Sequence, residues 1–155
     1  MPRKLAIAPL VALALAAGVA MAATGSQVVK TRDNTTLGKI LVNAKGRTRY
    51  HLQGETTHHF MCTGSACTGL WPPLVVKSSS AIAHSKVKHL GTVKRPDNHK
   101  LQVTYKGEPL YTFANDHKPG DTNGEGFAGV WHAAVAKEPA PQQSAPAPYS
   151  PPPGY

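Results

Sequence analysis

An internal duplication constrains the fold of this chain more than any other feature. Gly38 to Leu52 aligns without a gap on His99 to Phe113, so that Lys39, Val42, Lys45, Gly46 and Tyr50 recur as Lys100, Val103, Lys106, Gly107 and Tyr111. Farther on, Glu55 answers to Asp116 at the same spacing, and Trp71 to Trp131 one residue closer. Two copies are too few for a solenoid, which needs three or more stacked repeats to bury a continuous face. The expected result is a pair of β units sharing one core about a pseudo-twofold axis, with repeat one over about 28–76 and repeat two over about 87–136.

Each copy reads as a hairpin. Leu101, Val103 and Tyr105 alternate with polar neighbours, Lys106-Gly107-Glu108-Pro109 supplies a turn, and Leu110 to Phe113 returns. A glycine at both turn positions, 46 and 107, is explained by backbone alone, because a residue without Cβ takes positive φ freely. Val87 to Val93 reads as a further strand closed by a turn at Arg95-Pro96-Asp97-Asn98. Ser78 to Lys88 is the one candidate for an amphipathic helix, so the predicted class is mainly antiparallel β. In the returning strand Tyr111 and Phe113 alternate with Thr112, which puts both rings on one face, and Asp116 stands just past the end. These side chains, with Tyr50, Glu55, Trp71 and Trp131, are expected to be structural. Each acid would accept hydrogen bonds from backbone amides at the end of its hairpin. The rival reading is an exposed aromatic and acid binding site.

The two ends differ in kind from this centre. Arg3 and Lys4 precede an apolar run from Leu5 to Val19, and Ala20-Met21-Ala22 follows as a small-x-small cleavage site. The run of about 15 apolar residues is short of the roughly 20 that span a bilayer. Residues 1–22 are therefore expected to be a cleaved secretory signal. No cysteine stands at the cleavage site to accept a lipid, so the mature protein is expected to be exported, periplasmic or secreted, without a stable membrane anchor. Residues 137–155 carry seven of the 14 prolines. Proline fixes φ and lacks the backbone donor, so this segment is expected to be a disordered, partly polyproline-II tail. What lies between, 23–136, suffices for one small domain.

Charge narrows the partners without naming one. The formal net charge is +9, and it becomes +7 once the signal leaves with two basic and no acidic residues. The nearest approach to a basic cluster is Lys86, Lys88, Lys94 and Arg95, with no interleaved aromatics, which argues against a specific nucleic-acid surface. Spread positive charge on an exported protein favours weak, salt-sensitive attraction to anionic cell-envelope components.

Cys62 and Cys67 are the only cysteines, and in an exported chain they most simply form a disulfide. Closing so short a loop stabilises by only about 2 kcal/mol, so the bond pins a loop without founding the fold. His58, His59 and Met61 beside Cys62 form the one local cluster in which copper or zinc chemistry has support, since imidazole, thioether and thiolate suit those ions. Adjacent histidines on a strand, however, face opposite ways. The other six histidines, at 51, 84, 89, 99, 117 and 132, show no ligand spacing. Asp116, Asp121, Asn123 and Glu125 have the composition of a calcium loop but not the twelve-residue register of an EF-hand, so a polar loop whose aspartates cap turns is expected. No catalytic residue stands out: Ser65 lies in Gly-Ser-Ala-Cys and not in a nucleophile elbow, and no carboxylate pair has a supported separation. No cofactor is implied.

Several motifs occur in order: Tyr50-x-Leu52-x-x-Glu55, Cys62-x4-Cys67 before Trp71-Pro72-Pro73-Leu74, Tyr111-x-Phe113-x-x-Asp116, and Pro119-Gly-Asp-Thr-Asn-Gly before Val130-Trp131. Over about residues 28–136 the chain resembles the bacterial secreted-repeat family, often described as lipoproteins with a Tyr-x-aromatic-x-x-Asp motif. The resemblance implies an exported envelope protein of unassigned specific function. The first copy departs from the motif at Leu52 and Glu55, and the lipid-bearing cysteine of many relatives is missing. The resulting expectation is a non-enzymatic binding or structural module of the envelope. The alternative is an extracytoplasmic copper- or zinc-binding protein using His58, His59 and Met61.

Overall fold

The computed structural model describes residues 27–137. The expected signal segment, and the expected tail apart from Lys137, lie outside the described residues. The described chain is mainly β: β1 (Lys30–Asn34), β2 (Gly38–Val42), β3 (Tyr50–Leu52), α1 (Ser65–Leu70), β4 (Val75–Val76), β5 (Leu90–Lys94), β6 (Leu101–Tyr105), β7 (Glu108–Pro109), β8 (Trp131–Ala133) and β9 (Val135–Lys137). Every strand pairing is antiparallel.

Local chemistry sets the turns. Between β1 and β2, Asn34 Oδ1 accepts hydrogen bonds from the amides of Thr36 and Leu37 at 2.9 and 2.8 Å, which closes the turn in the manner asparagine favours. Between β6 and β7, Lys106 and Gly107 both have positive φ, at 52° and 87°. Two consecutive left-handed residues make the two-residue turn whose twist suits a hairpin. The return strand therefore begins at Glu108, inside the expected turn. Beyond Pro109 it forms only single bridges, from Tyr111 to Tyr50 and to Pro73.

Two small sheets have the same plan. In one, β2 lies between β1 and β9; in the other, β6 lies between β5 and β4, with β7 adding to β6 farther along. In both sheets a hairpin from one half of the chain is completed by the strand that follows the tryptophan of the other half. Leu41 donates to the Ala134 carbonyl and Val103 to the Leu74 carbonyl, each at 2.8 Å. The same correspondence pairs Ile40 with Val135 and Gln102 with Val75. Leu41 thus answers to Val103 and Ile40 to Gln102, one residue away from the gap-free alignment of the sequence. The difference is absorbed in the hairpin loops: Asn43 to Gly46 is a longer turn, closed by Gly46 N to Asn43 O at 2.9 Å, where the second half has only Lys106 and Gly107.

β2 is buried on both faces, because Ile40 and Val42 enter one core cluster and Leu41 the other. The first cluster holds the aromatic residues; the second gathers Val29, Leu41, Val103, Tyr105, Leu110 and Ala134.

The helical expectation needs correcting. Ser78 to Lys88 contains only a 3-10 turn at Ser79–Ile82, with the Ser78 side chain accepting from the Ser80 amide. Serine side chains compete for backbone groups and favour such turns over helix interiors. Among the described residues the α-helix is α1, six residues around Cys67, beginning where Thr68 N donates to Gly64 O at 2.9 Å and ending where Trp71 N donates to Cys67 O at 2.7 Å. It is too short to leave a periodic signal. Cys62 and Cys67 are disulfide-bonded, with Cα atoms 5.5 Å apart. Among the described residues, no helix is long and apolar enough to cross a membrane.

Candidate functional site

The duplicated motif meets itself at the centre of the molecule. Tyr50 N donates to Tyr111 O at 3.0 Å and Tyr111 N donates to Tyr50 O at 2.8 Å, the reciprocal pair that marks directly opposed residues in an antiparallel ladder. The two hydroxyls then differ in partner: that of Tyr50 goes to the acid of the other copy, whereas that of Tyr111 accepts from Arg95 Nη1 at 3.4 Å with the Glu55 charge nearby. The Tyr50 hydroxyl donates to Asp116 Oδ2 at 2.7 Å, and Asp116 Oδ1 accepts from the Asn123 amide at 3.0 Å. Glu55 Oε1 accepts from the amides of Met61 and Cys62 at 2.8 and 3.0 Å. Its Oε2 is buried without a partner of hydrogen-bonding geometry. Burial, followed by the nearby Glu55 charge, pushes the Tyr111 hydroxyl well above the ordinary tyrosine range. The Tyr50 hydroxyl rises for the same reasons, burial first and Asp116 second. Burial also raises Asp116 above the usual aspartate value, against the pull of the Tyr50 bond.

The two tryptophans stack face to face, centroids 3.8 Å apart and planes within 5°. Tyr50 meets Trp71 edge-on at 5.4 Å and Tyr111 meets Trp131 edge-on at 5.2 Å. Phe113 lies 4.5 Å from Trp71. Gly124 is required by close approach: a Cβ there would lie 2.7 Å from Trp71 Cη2 and 3.0 Å from the Tyr50 ring. Tyr50, Tyr111 and Asp116 are fully buried, and Glu55, Trp71, Phe113 and Trp131 are 1–5% exposed. The motif is sealed within the core.

Arg95 belongs to this core as well, not to the basic cluster in which its sequence position suggested it. It is fully buried and donates to Gln102 Oε1 at 2.5 Å, to the Cys62 carbonyl at 2.7 Å and to Asp97 at 2.8 and 3.1 Å. It ties the disulfide-bonded segment to the turn between β5 and β6.

The expected metal cluster is not gathered. His58 and His59 are exposed on the turn from Thr56 to His59, Met61 is 44% exposed, and Cys62 is in the disulfide. Among the described residues, no group of three or more histidine, cysteine or acidic side chains is arranged to hold a metal ion. The acids of the glycine-rich loop likewise have separate partners. Asp116 faces Tyr50, whereas Asp121 Oδ2 accepts from the amides of His117 and Lys118 at 2.8 and 2.7 Å. These backbone bonds hold the Asp121 carboxyl below its ordinary value.

A feature that spacing did not reveal is a cleft of about 370 Å³ whose lining includes His51, Lys106, Glu108, Glu125 and His132. His51 and His132 are register partners on β3 and β8, so their rings stand side by side with centroids 6.0 Å apart. Glu125 Oε1 lies 3.0 Å from His132 Nδ1, while its Oε2 accepts from the Ala133 amide at 2.6 Å. Glu108 Oε1 lies 3.3 Å from His51 Nδ1, outside hydrogen-bonding geometry, so that buried nitrogen has no partner. Burial holds His51 below the ordinary histidine value; Glu108 acts in the opposite direction and His132 reinforces the lowering. The position matching His51 in the second copy is Thr112, whose hydroxyl accepts from Arg49 Nη1 at 2.6 Å. Arg49 itself is lowered to about 10 by burial and by Arg47. The histidine pair therefore exists on one side of the molecule only.

Fold and site together define a small, disulfide-pinned, mainly β domain whose repeated tyrosine and acid motif is locked in its core. Residues 91–135 match the family model described as a secreted repeat of unknown function. That stretch runs from β5 into β9 and contains Tyr111, Phe113, Asp116 and Trp131. Neither the curated proteins nor the solved structures contain a match to the chain.

Proposed function

We propose that this chain is an exported, non-enzymatic binding module of the bacterial cell envelope. In this reading two copies of the secreted repeat close on each other about a pseudo-twofold axis, and their cationic exterior meets anionic envelope polymers or lipid head groups. The closure of the motif carries the proposal. Tyr50 and Asp116 bond each other inside the core and the buried Tyr111 hydroxyl accepts from Arg95 Nη1, which leaves these groups unavailable to a substrate. The exterior presents lysines, among them Lys77, Lys86, Lys88, Lys94 and Lys100, all exposed. The family description supports secretion.

The attraction is electrostatic and must weaken as salt screens it: the Debye length falls from about 30 Å at 0.01 M to about 8 Å at 0.15 M. Retention of the purified chain on anionic envelope material should drop steeply between those concentrations. Retention unchanged over that range overturns the electrostatic reading.

A further inference from the structure

We propose that the cleft containing His51 and His132 is a binding site for a divalent first-row transition-metal ion, held by the two imidazoles and completed by water or an external ligand. It goes beyond the envelope-binding reading and rests on different residues. The two histidines come from opposite halves of the sequence and become neighbours only because β3 and β8 pair Cα to Cα at His51 and His132. Each ring has a carboxylate beside Nδ1, Glu108 at 3.3 Å and Glu125 at 3.0 Å. At His132 the Glu125 contact is a hydrogen bond, the arrangement that fixes the tautomer of metal-binding histidines and leaves the lone pair on Nε2; at His51, Glu108 stands close without bonding geometry.

The same geometry leaves the buried His51 Nδ1 without a hydrogen-bond partner. A ligand drawing the ring toward a fixed orientation would bring Glu108 into line with it. Charge favours a cation as well: Glu108 and Glu125 face the cleft against one lysine, Lys106, whose ammonium sits 5.1 Å over the Tyr105 ring. Because no third side chain converges on the pair, the ion keeps open positions. Imidazole donors select zinc, copper and nickel over magnesium or calcium.

The test is calorimetric titration of the untagged full chain with Zn²⁺, Cu²⁺ and Ni²⁺ salts, each alone, at neutral pH. One-to-one binding of at least one ion is expected. His51→Gln or His132→Gln should weaken it at least tenfold and Glu125→Gln by about 10- to 100-fold, while the double variant His58→Gln, His59→Gln leaves it unchanged. In the unaltered protein, the imidazole proton resonances of His51 and His132 should broaden first when Cu²⁺ is added below one equivalent, a readout that does not depend on a variant folding. No binding of any of the three ions overturns the proposal. So does affinity indifferent to both His51 and His132, or affinity lost with His58 and His59.

Discussion

Replacing Tyr50 by Phe removes one oxygen from the sealed core, and the geometry says what that oxygen does. It donates to Asp116 Oδ2 at 2.7 Å and accepts from the Gly124 amide at 3.3 Å. A hydrogen bond to a charged group contributes about 1.5–3 kcal/mol, and stranding a buried acceptor adds to the loss. Tyr50→Phe should therefore destabilise by about 2–4 kcal/mol. For a domain of about 110 residues this lowers the thermal midpoint by roughly 9–17 °C at pH 7.

The pH dependence of that loss is a sharper check. Burial puts the folded-state pKa of Asp116 above its ordinary value, so the folded protein takes up this proton before the unfolded chain does. Stability from this group is then present at acid pH and declines as pH rises through the folded pKa. The Tyr50 bond opposes the rise, so the variant carboxyl titrates higher still. The deficit of Tyr50→Phe should shrink as pH falls from neutrality through the folded pKa of Asp116. Thermal scans from pH 7 to pH 4 measure it. A midpoint change below about 2 °C at pH 7, equivalent to roughly 0.5 kcal/mol, or a deficit that grows with acid, refutes the reasoning.

Two further substitutions examine the same core from other sides. Phe113→Ala empties a site against Trp71 and should cost about 3–5 kcal/mol, read as a fall in the denaturant midpoint with an unchanged slope; no fall would return the motif to the status of an exposed site. Gly124→Ala places a methyl group 2.7 Å from Trp71 and should cost about 1–3 kcal/mol by overpacking, with the near-ultraviolet circular dichroism of the tryptophan stack altered. An unperturbed signal and midpoint would show that the stack yields freely.

The sequence alone determined what depends on short stretches of chain. Alternation marked β6, the stretch Lys106-Gly107-Glu108-Pro109 marked a hairpin turn, and the secreted-repeat resemblance rested on motifs read in order. The proximity of Cys62 and Cys67 in a chain expected to be exported was enough to expect the disulfide that the structure contains. α1 was missed because six residues carry no helical period, and the one-residue offset between β2 and β6 was hidden by identities at Lys39 and Val42 that align better than they superpose.

Tertiary structure decided which copy completes which. Asp116 stands at the same spacing after Tyr111 as Glu55 after Tyr50, so it could as well have served its own tyrosine; only the opposed pairing of Tyr50 with Tyr111 sends it to the other half. Burial of Arg95 was equally unreadable, since its partners Cys62 and Gln102 come from different elements. His51 and His132 looked like scattered residues for the same physical reason. Linear spacing reports neighbours along a strand or a turn, whereas register between strands far apart in the chain is settled by the joint packing of both halves around the stacked Trp71 and Trp131.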